Sequence, residues 1–198
     1  MRRIVLTAMI FGAALAGCDG AGGSQRMPGD RPMTQVEAEN GVDTVAQEEP
    51  AVARSQWRAV SDEARSNTGN LRVSLEGNRG DPVVFAFANG ITIRAQAYNV
   101  VDADRRSGAN GQSFATVLSG DPRVQTYLYR VLDENLIPGR RATGGLCGTS
   151  PTRHLAVSEF VDSSGRWVFK IAAFRGEAQP PSNVDPELCG AAFAYTAQ

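Results

Sequence analysis

The only histidine of the chain, His154, is the first side chain to consider for chemistry, because imidazole is the usual general base of hydrolases. It begins a predicted strand, and no Gly-x-Ser-x-Gly elbow accompanies it. Glu159 is the one charged residue on the apolar face of that strand. The adjacent acids Asp133 and Glu134 would point apart in a strand and form no acid/base dyad. We therefore assign no catalytic residue, and a hydrolase that uses His154 or Glu159 is the alternative hypothesis.

A second group with possible chemistry combines Arg140 and Arg141 with Gly144 and Gly145. Guanidinium groups and exposed backbone amides can together contact an anion. The lysine that a P-loop requires is missing, so a mobile connection is the favoured interpretation. Arg140 and Arg141 join His154 and Glu159 as possible ligand-contact residues.

A calcium loop is suggested by the spacing of Asp102, Asp104, Ser107 and Asn110. However, Arg106 and Ser107 stand where a ligand and the turn glycine belong, and no acid closes the loop. The segment is predicted to be a solvated turn. With a single histidine as well, the sequence predicts no metal site and no cofactor.

The elements that must position these residues are mainly strands. Short runs rich in Val, Ile, Phe, Thr and Tyr alternate with turn clusters, which predicts an antiparallel, mainly β domain closing into a small barrel or sandwich. Strands are expected near 71–76, 82–88, 91–101, 113–118, 124–132, 154–161, 166–175 and 190–196. The 124–132 segment also fits a helix opened by Asp121 and Pro122, although its composition favours a strand.

Two hairpins can be predicted at the level of register. A three-residue loop at 88–90, with Gly90 left-handed, places Phe85 on the same face as Ile93. A three-residue loop at 163–165 likewise places Glu159 on an apolar face. Either that register is wrong near the turn, or Glu159 is a partly buried carboxylate that needs a partner.

The N-terminal part of the chain divides at about residue 53. Residues 18–52 contain no Leu, Ile, Phe or Tyr, so they are expected to form a disordered tether before a single domain at 53–198. Apolar residues at helical spacing over 53–65 predict a short amphipathic helix, which Trp57 would pack onto the domain. The formal charge of −1, from 20 basic and 21 acidic residues, argues against a nucleic-acid partner.

Residues 1–17 have the order of a secretory signal peptide, with Arg2 and Arg3 before an apolar stretch. The segment from Leu15 to Cys18 then resembles the bacterial lipobox at every position. This resemblance implies that Cys18 carries diacylglycerol and becomes the first residue of a membrane-anchored protein facing the periplasm. Asp19 resembles an inner-membrane retention signal of enteric bacteria, and the choice of membrane stays open.

With Cys18 lipidated, Cys147 and Cys189 remain as an even pair in an oxidising compartment, which predicts a disulfide. A redox or metal role is the alternative, but neither residue has a second cysteine nearby. The region from Leu146 through Gly190 resembles small alphaproteobacterial lipoproteins of unassigned function. The sequence thus predicts a non-catalytic envelope lipoprotein that binds an envelope protein, glycan or lipid, or has a structural role.

Overall fold

The computed structural model describes residues 54–198, and these form a mainly β structure. Its strands are β1 (Gln56–Ala59), β2 (Leu71–Leu75), β3 (Val83–Phe87), β4 (Ile91–Asp102), β5 (Gln125–Leu136), β6 (His154–Val161), β7 (Trp167–Phe174) and β8 (Phe193–Ala197). One α-helix, α1 (Phe114–Leu118), a π-helical turn (Ala64–Thr68) and a 3-10 turn (Ala109–Gly111) complete the elements.

The strands form a closed antiparallel barrel in which each strand pairs with its neighbours in the sequence. Strands β1 and β8 close it, with Trp57 opposite Ala197 and Ala59 opposite Tyr195. Closure leaves no unpaired sheet edge of the kind that invites association. Of the two architectures expected from the sequence, the barrel is the one observed.

Alternating side chains of the strands fill the barrel interior. The largest fully buried ones are apolar or aromatic, and they include Trp57, Phe85, Ile93, Tyr129, Leu155, Phe169, Ile171 and Tyr195. The rings of Trp57 and Phe169 are tilted against each other at 4.8 Å. A small barrel filled in this way is a packed core and not a ligand container.

A second apolar cluster lies on the outer face of β5, β6 and β7, where α1 covers it. Residues 113–118 are thus not the strand expected from the sequence. The Ser113 hydroxyl accepts a hydrogen bond from the Thr116 amide at 3.2 Å and caps the helix. Phe114, Val117 and Leu118 then have the spacing of one helix face, and all three are buried.

The predicted helix over 53–65 is wrong at Gln56–Ala59. Gln56–Ala59 is strand β1, and helical structure is confined to a short segment that ends with the π-helical turn Ala64–Thr68. Trp57 packs in the core as expected, but it does so from a strand with exposed neighbours on either side. The expected signal peptide, lipobox and most of the tether lie outside the described residues.

Both hairpin predictions are confirmed. Phe85 is paired with Ile93, and Gly90 closes the three-residue turn with a φ of 104°. At the other turn Val161 is paired with Trp167, which places Glu159 opposite Phe169 on the inward face. The segment that could have been a helix is the long strand β5, which extends four residues beyond the expected end at 132.

One end of the barrel carries four chain connections, and we call it the disulfide end. The four connections lie between β1 and β2, β3 and β4, β5 and β6, and β7 and β8. Cys147 of the third is bonded to Cys189 of the fourth, with their Cα atoms 5.0 Å apart. The predicted disulfide is confirmed, and it ties the two longest of these connections together.

Candidate ligand-binding groove

A groove of about 460 Å³ lies on the outer surface of β1, β2 and β3, beside the start of the β5–β6 connection. Its lining includes Gln56, Arg72, Ala86, Phe87, Ile137 and Arg140. The sheet register puts Arg72 between Gln56 on β1 and Ala86 on β3, so three adjacent strands supply the floor. Arg140 is the one ligand-contact residue predicted from the sequence that lines this groove.

Gly90 determines where Arg140 lies. A Cβ atom at Gly90 would be 2.4 Å from the Cβ of Arg140, a distance that no side chain could occupy. The Ile137 amide donates a hydrogen bond to the Gly90 carbonyl at 2.9 Å. The β3–β4 turn therefore holds both Ile137 and Arg140 at the edge of the groove.

The electrostatics of the groove are set by guanidinium groups that have no carboxylate partner. Within residues 54–198, ion pairs with described carboxylates are formed by Arg54, Arg65, Arg94, Arg123, Arg153, Arg166 and Arg175. Arg72 and Arg140 are not among them, and both are exposed. Two unneutralised cations facing one cleft attract an anion and give it bidentate hydrogen-bond donors.

The groove also offers apolar surface. Ile137, which lines the groove, is 50% exposed. Ala86 lies beside Arg72 in the floor, and with Ile137 it gives the groove a short apolar strip. The arrangement thus combines cationic groups with an apolar strip, which suits a ligand that has an acidic group and an apolar part.

Arg141 follows Arg140 directly in the sequence, but it does not line the same groove. It lines a different cleft of about 390 Å³, together with Asn67, Asn89 and Thr143. The glycines of the alternative anion loop do not form an open array of amides, because the Gly145 amide donates to the Gly148 carbonyl at 2.9 Å. The structure therefore places Arg140 and Arg141 in separate clefts.

Glu134 keeps the β5–β6 connection in place. Its carboxylate accepts hydrogen bonds from the Leu146 amide at 2.8 Å, the Thr152 amide at 3.0 Å and the Thr152 hydroxyl at 2.8 Å. In the pairing of β4 with β5, Glu134 lies opposite Ile93 and Asp133 lies opposite Arg94, and the register shifts after Arg94. Asp133 also forms an ion pair with Arg94. The two acids do point apart, as expected from the sequence, and Glu134 has a structural function there.

His154 lies on the outer face of the barrel and is only 6% exposed. Its ring meets Tyr98 edge-on at 6.2 Å, and the Tyr98 hydroxyl donates to the Pro180 carbonyl. Burial lowers the pKa of His154, while the charge of Glu177 opposes that shift. The imidazole is therefore neutral at neutral pH and packed beneath Tyr98.

Glu159 lies at the end of the barrel opposite the disulfide and on the inward face. Its side chain is 12% exposed and forms an ion pair with Arg54 at 3.7 Å. The Arg54 guanidinium stacks 3.8 Å from the centre of the Trp167 ring. The partner expected for a partly buried carboxylate is thus present, and Glu159 and His154 belong to different faces and different sites.

Residues 54–198, the turn that follows Asp102 included, contain no group of three or more metal-ligating side chains. The chain matches no protein-family model, no curated protein and no solved structure at a significant level. Within the described part of the chain, no helix is long and apolar enough to cross a membrane. Arg72 and Gln56 are groove residues that the sequence did not single out, and no local sequence signal distinguishes them.

Proposed function

We propose that this protein is a lipid-anchored, non-catalytic binding module of the bacterial envelope, and that its ligand is an anionic amphiphile. The observation that carries the proposal is the groove in which Arg72 and Arg140 lack carboxylate partners and border an apolar strip. Such a surface matches the boundary between a phosphate or carboxylate head group and an acyl chain. The barrel interior, which large buried side chains fill, supports an external site.

The membrane anchor is proposed from the sequence, on the lipobox from Leu15 to Cys18. Two or three acyl chains give stable membrane attachment, whereas one chain alone binds only marginally. The anchor would keep the groove close to the class of molecule that we propose as its ligand. Replacement Cys18→Ser is expected to remove the protein from the detergent phase in phase partitioning, and unchanged partitioning would contradict the anchor.

The binding test uses residues 18–198 with Cys18→Ser, so that acyl groups do not interfere. The probes are dihexanoyl phosphatidylglycerol and dihexanoyl phosphatidylcholine, both below their micellar concentrations, and titration calorimetry measures their Kd. We expect the anionic lipid to bind more tightly than the zwitterionic one. Arg72→Gln and Arg140→Gln should each weaken it by about tenfold, as expected for loss of a hydrogen bond to a charged group.

The matched control is Arg130→Gln, which changes an exposed arginine that has no ion pair within residues 54–198 and lies outside the groove. Its affinity for the anionic lipid should equal that of the parent chain. Equal affinities for the two lipids, or equal losses in all three variants, would contradict an anionic amphiphile as ligand. Binding that persists in the Arg72→Gln/Arg140→Gln double variant would place the ligand elsewhere.

A further inference from the structure

A further cleft, lined by two arginines, lies between the β4–β5 connection and the β7–β8 connection. It has a volume of about 590 Å³ and is lined by Arg105, Arg106, Gly108, Gly111 and the segment 181–183. None of these residues lines the Arg72–Arg140 groove. The cleft is therefore a separate feature with its own chemistry.

The arginines of this cleft have no carboxylate within ion-pair distance among the described residues. Arg105 and Arg106 are both exposed, and neither forms an ion pair within the described residues 54–198. Two guanidinium groups that line one cleft raise the positive potential there, which favours a bound anion. Their planar sets of N–H donors match the oxygens of a phosphate group, and a dianion gains from both charges.

Backbone contacts join the walls of the cleft. The Ser182 amide donates to the Ser107 carbonyl at 3.3 Å, which joins the two connections. A Cβ at Gly108 would lie 2.5 Å from the Ser182 carbonyl oxygen, so the contact is possible only with glycine. The Ser107 side chain is fully buried, and its hydroxyl donates a hydrogen bond to the Gln112 carbonyl at 2.9 Å. The guanidinium groups therefore extend from a fixed turn.

The lining also limits the kind of ligand. Apart from the arginines it consists of two glycines, Pro181, Ser182 and Asn183, and it includes no large apolar side chain. The cleft therefore has cationic and polar groups without the apolar strip of the Arg72–Arg140 groove. An acyl chain would find no complementary surface here.

We infer that the Arg105–Arg106 cleft is a binding site for a compact phosphate group, either free phosphate or a water-soluble phosphate monoester. This site is independent of the amphiphile groove, and neither proposal depends on the other. Binding should weaken as salt is added, because both partners are solvent-exposed charges.

The test uses the full chain in a non-ionic detergent, with NMR observation of the Gly108 and Gly111 amides. Inorganic phosphate and glycerol 3-phosphate are the two probes, and acetate is the monoanionic comparison. We expect saturable shifts with the phosphates and much weaker ones with acetate. Tighter binding of inorganic phosphate identifies the free ion as the better ligand, and tighter binding of glycerol 3-phosphate identifies the monoester.

Variants distinguish the effect of the arginine charges from the effect of the shape of the cleft. Arg105→Gln and Arg106→Gln should each raise the Kd by about tenfold, whereas Arg72→Gln in the other groove and Arg130→Gln should leave it unchanged. Gly108→Ala keeps both guanidinium groups but displaces the Ser182 wall, and it should also weaken binding. Absence of a saturable shift, or unchanged phosphate affinity in the Arg105→Gln/Arg106→Gln double variant, would overturn the site. Thermal unfolding of each variant confirms that the chain is folded.

Discussion

At the scale of single residues, Asp133 and Glu134 show how the environment decides what a carboxylate contributes. Asp133 lies on the surface, 3.5 Å from Arg94, and exposed ion pairs of this kind contribute little to stability. Glu134 instead accepts three hydrogen bonds from the β5–β6 connection. Removing its charge would weaken the contacts of two backbone amides at once, so the two acids should differ in their effect on folding.

We predict that Glu134→Gln lowers the free energy of unfolding by about 2 kcal/mol, because an amide has only one acceptor oxygen for these three donors. The surface variant Asp133→Asn should lower it by less than about 0.5 kcal/mol. Urea unfolding monitored by circular dichroism measures both values. Equal losses in the two variants would show that Glu134 does not hold the connection in place.

At the scale of elements, the accuracy of sequence prediction depended on whether the contacts that decide an element are local. The two hairpins were predictable to the residue, since turn length and side-chain alternation fix their register. For Gln56–Ala59 and residues 113–118 the local pattern predicts the wrong element, for the opposite reason. Trp57 is in a strand because β8, more than 130 residues away, closes the barrel beside it. Phe114 is in a helix because a cap and an apolar outer face favour one.

The two hairpin turns provide a matched pair of glycines. Gly90 and Gly165 both have positive φ, but only Gly90 has a neighbour within reach of an added Cβ, the Cβ of Arg140. We predict that Gly165→Ala costs about 1 kcal/mol, from backbone conformation alone. Gly90→Ala should cost clearly more, since Arg140 must also move. Thermal or urea unfolding of both variants tests this, and equal costs would mean that the contact with Arg140 is easily relieved.

At the scale of the whole molecule, the mainly β architecture and the covalent link were predictable, and the binding surface was not. Alternation of apolar residues and turn clusters identifies an antiparallel barrel or sandwich, and an even pair of cysteines predicts the bond between them. Arg72 and Arg140 are 68 residues apart, and only the barrel register together with the β3–β4 turn brings them to one groove. No local pattern in the sequence contains that information.

The disulfide joins two connections across a chain separation of 42 residues. In the chain-entropy description, a loop of this length contributes about 4 kcal/mol to stability. We predict that Cys147→Ser/Cys189→Ser lowers the Tm by roughly 10 °C while keeping a single transition, because one packed interior spans all eight strands. Differential scanning calorimetry provides the measurement. Two transitions in the variant would show that the disulfide end unfolds separately from the rest of the barrel.

The pairing of β1 with β8 also determines the order in which this structure can be completed. Every other strand pair joins neighbours in the sequence, whereas β1 pairs with β8, the last strand of the chain. The barrel therefore closes only when β8 has formed. Trp57 packs against Phe169 of β7, and Arg54, just before β1, stacks on Trp167. The surroundings of both tryptophans therefore depend on the docking of β1, and we expect their fluorescence to change when the ring of strands becomes complete.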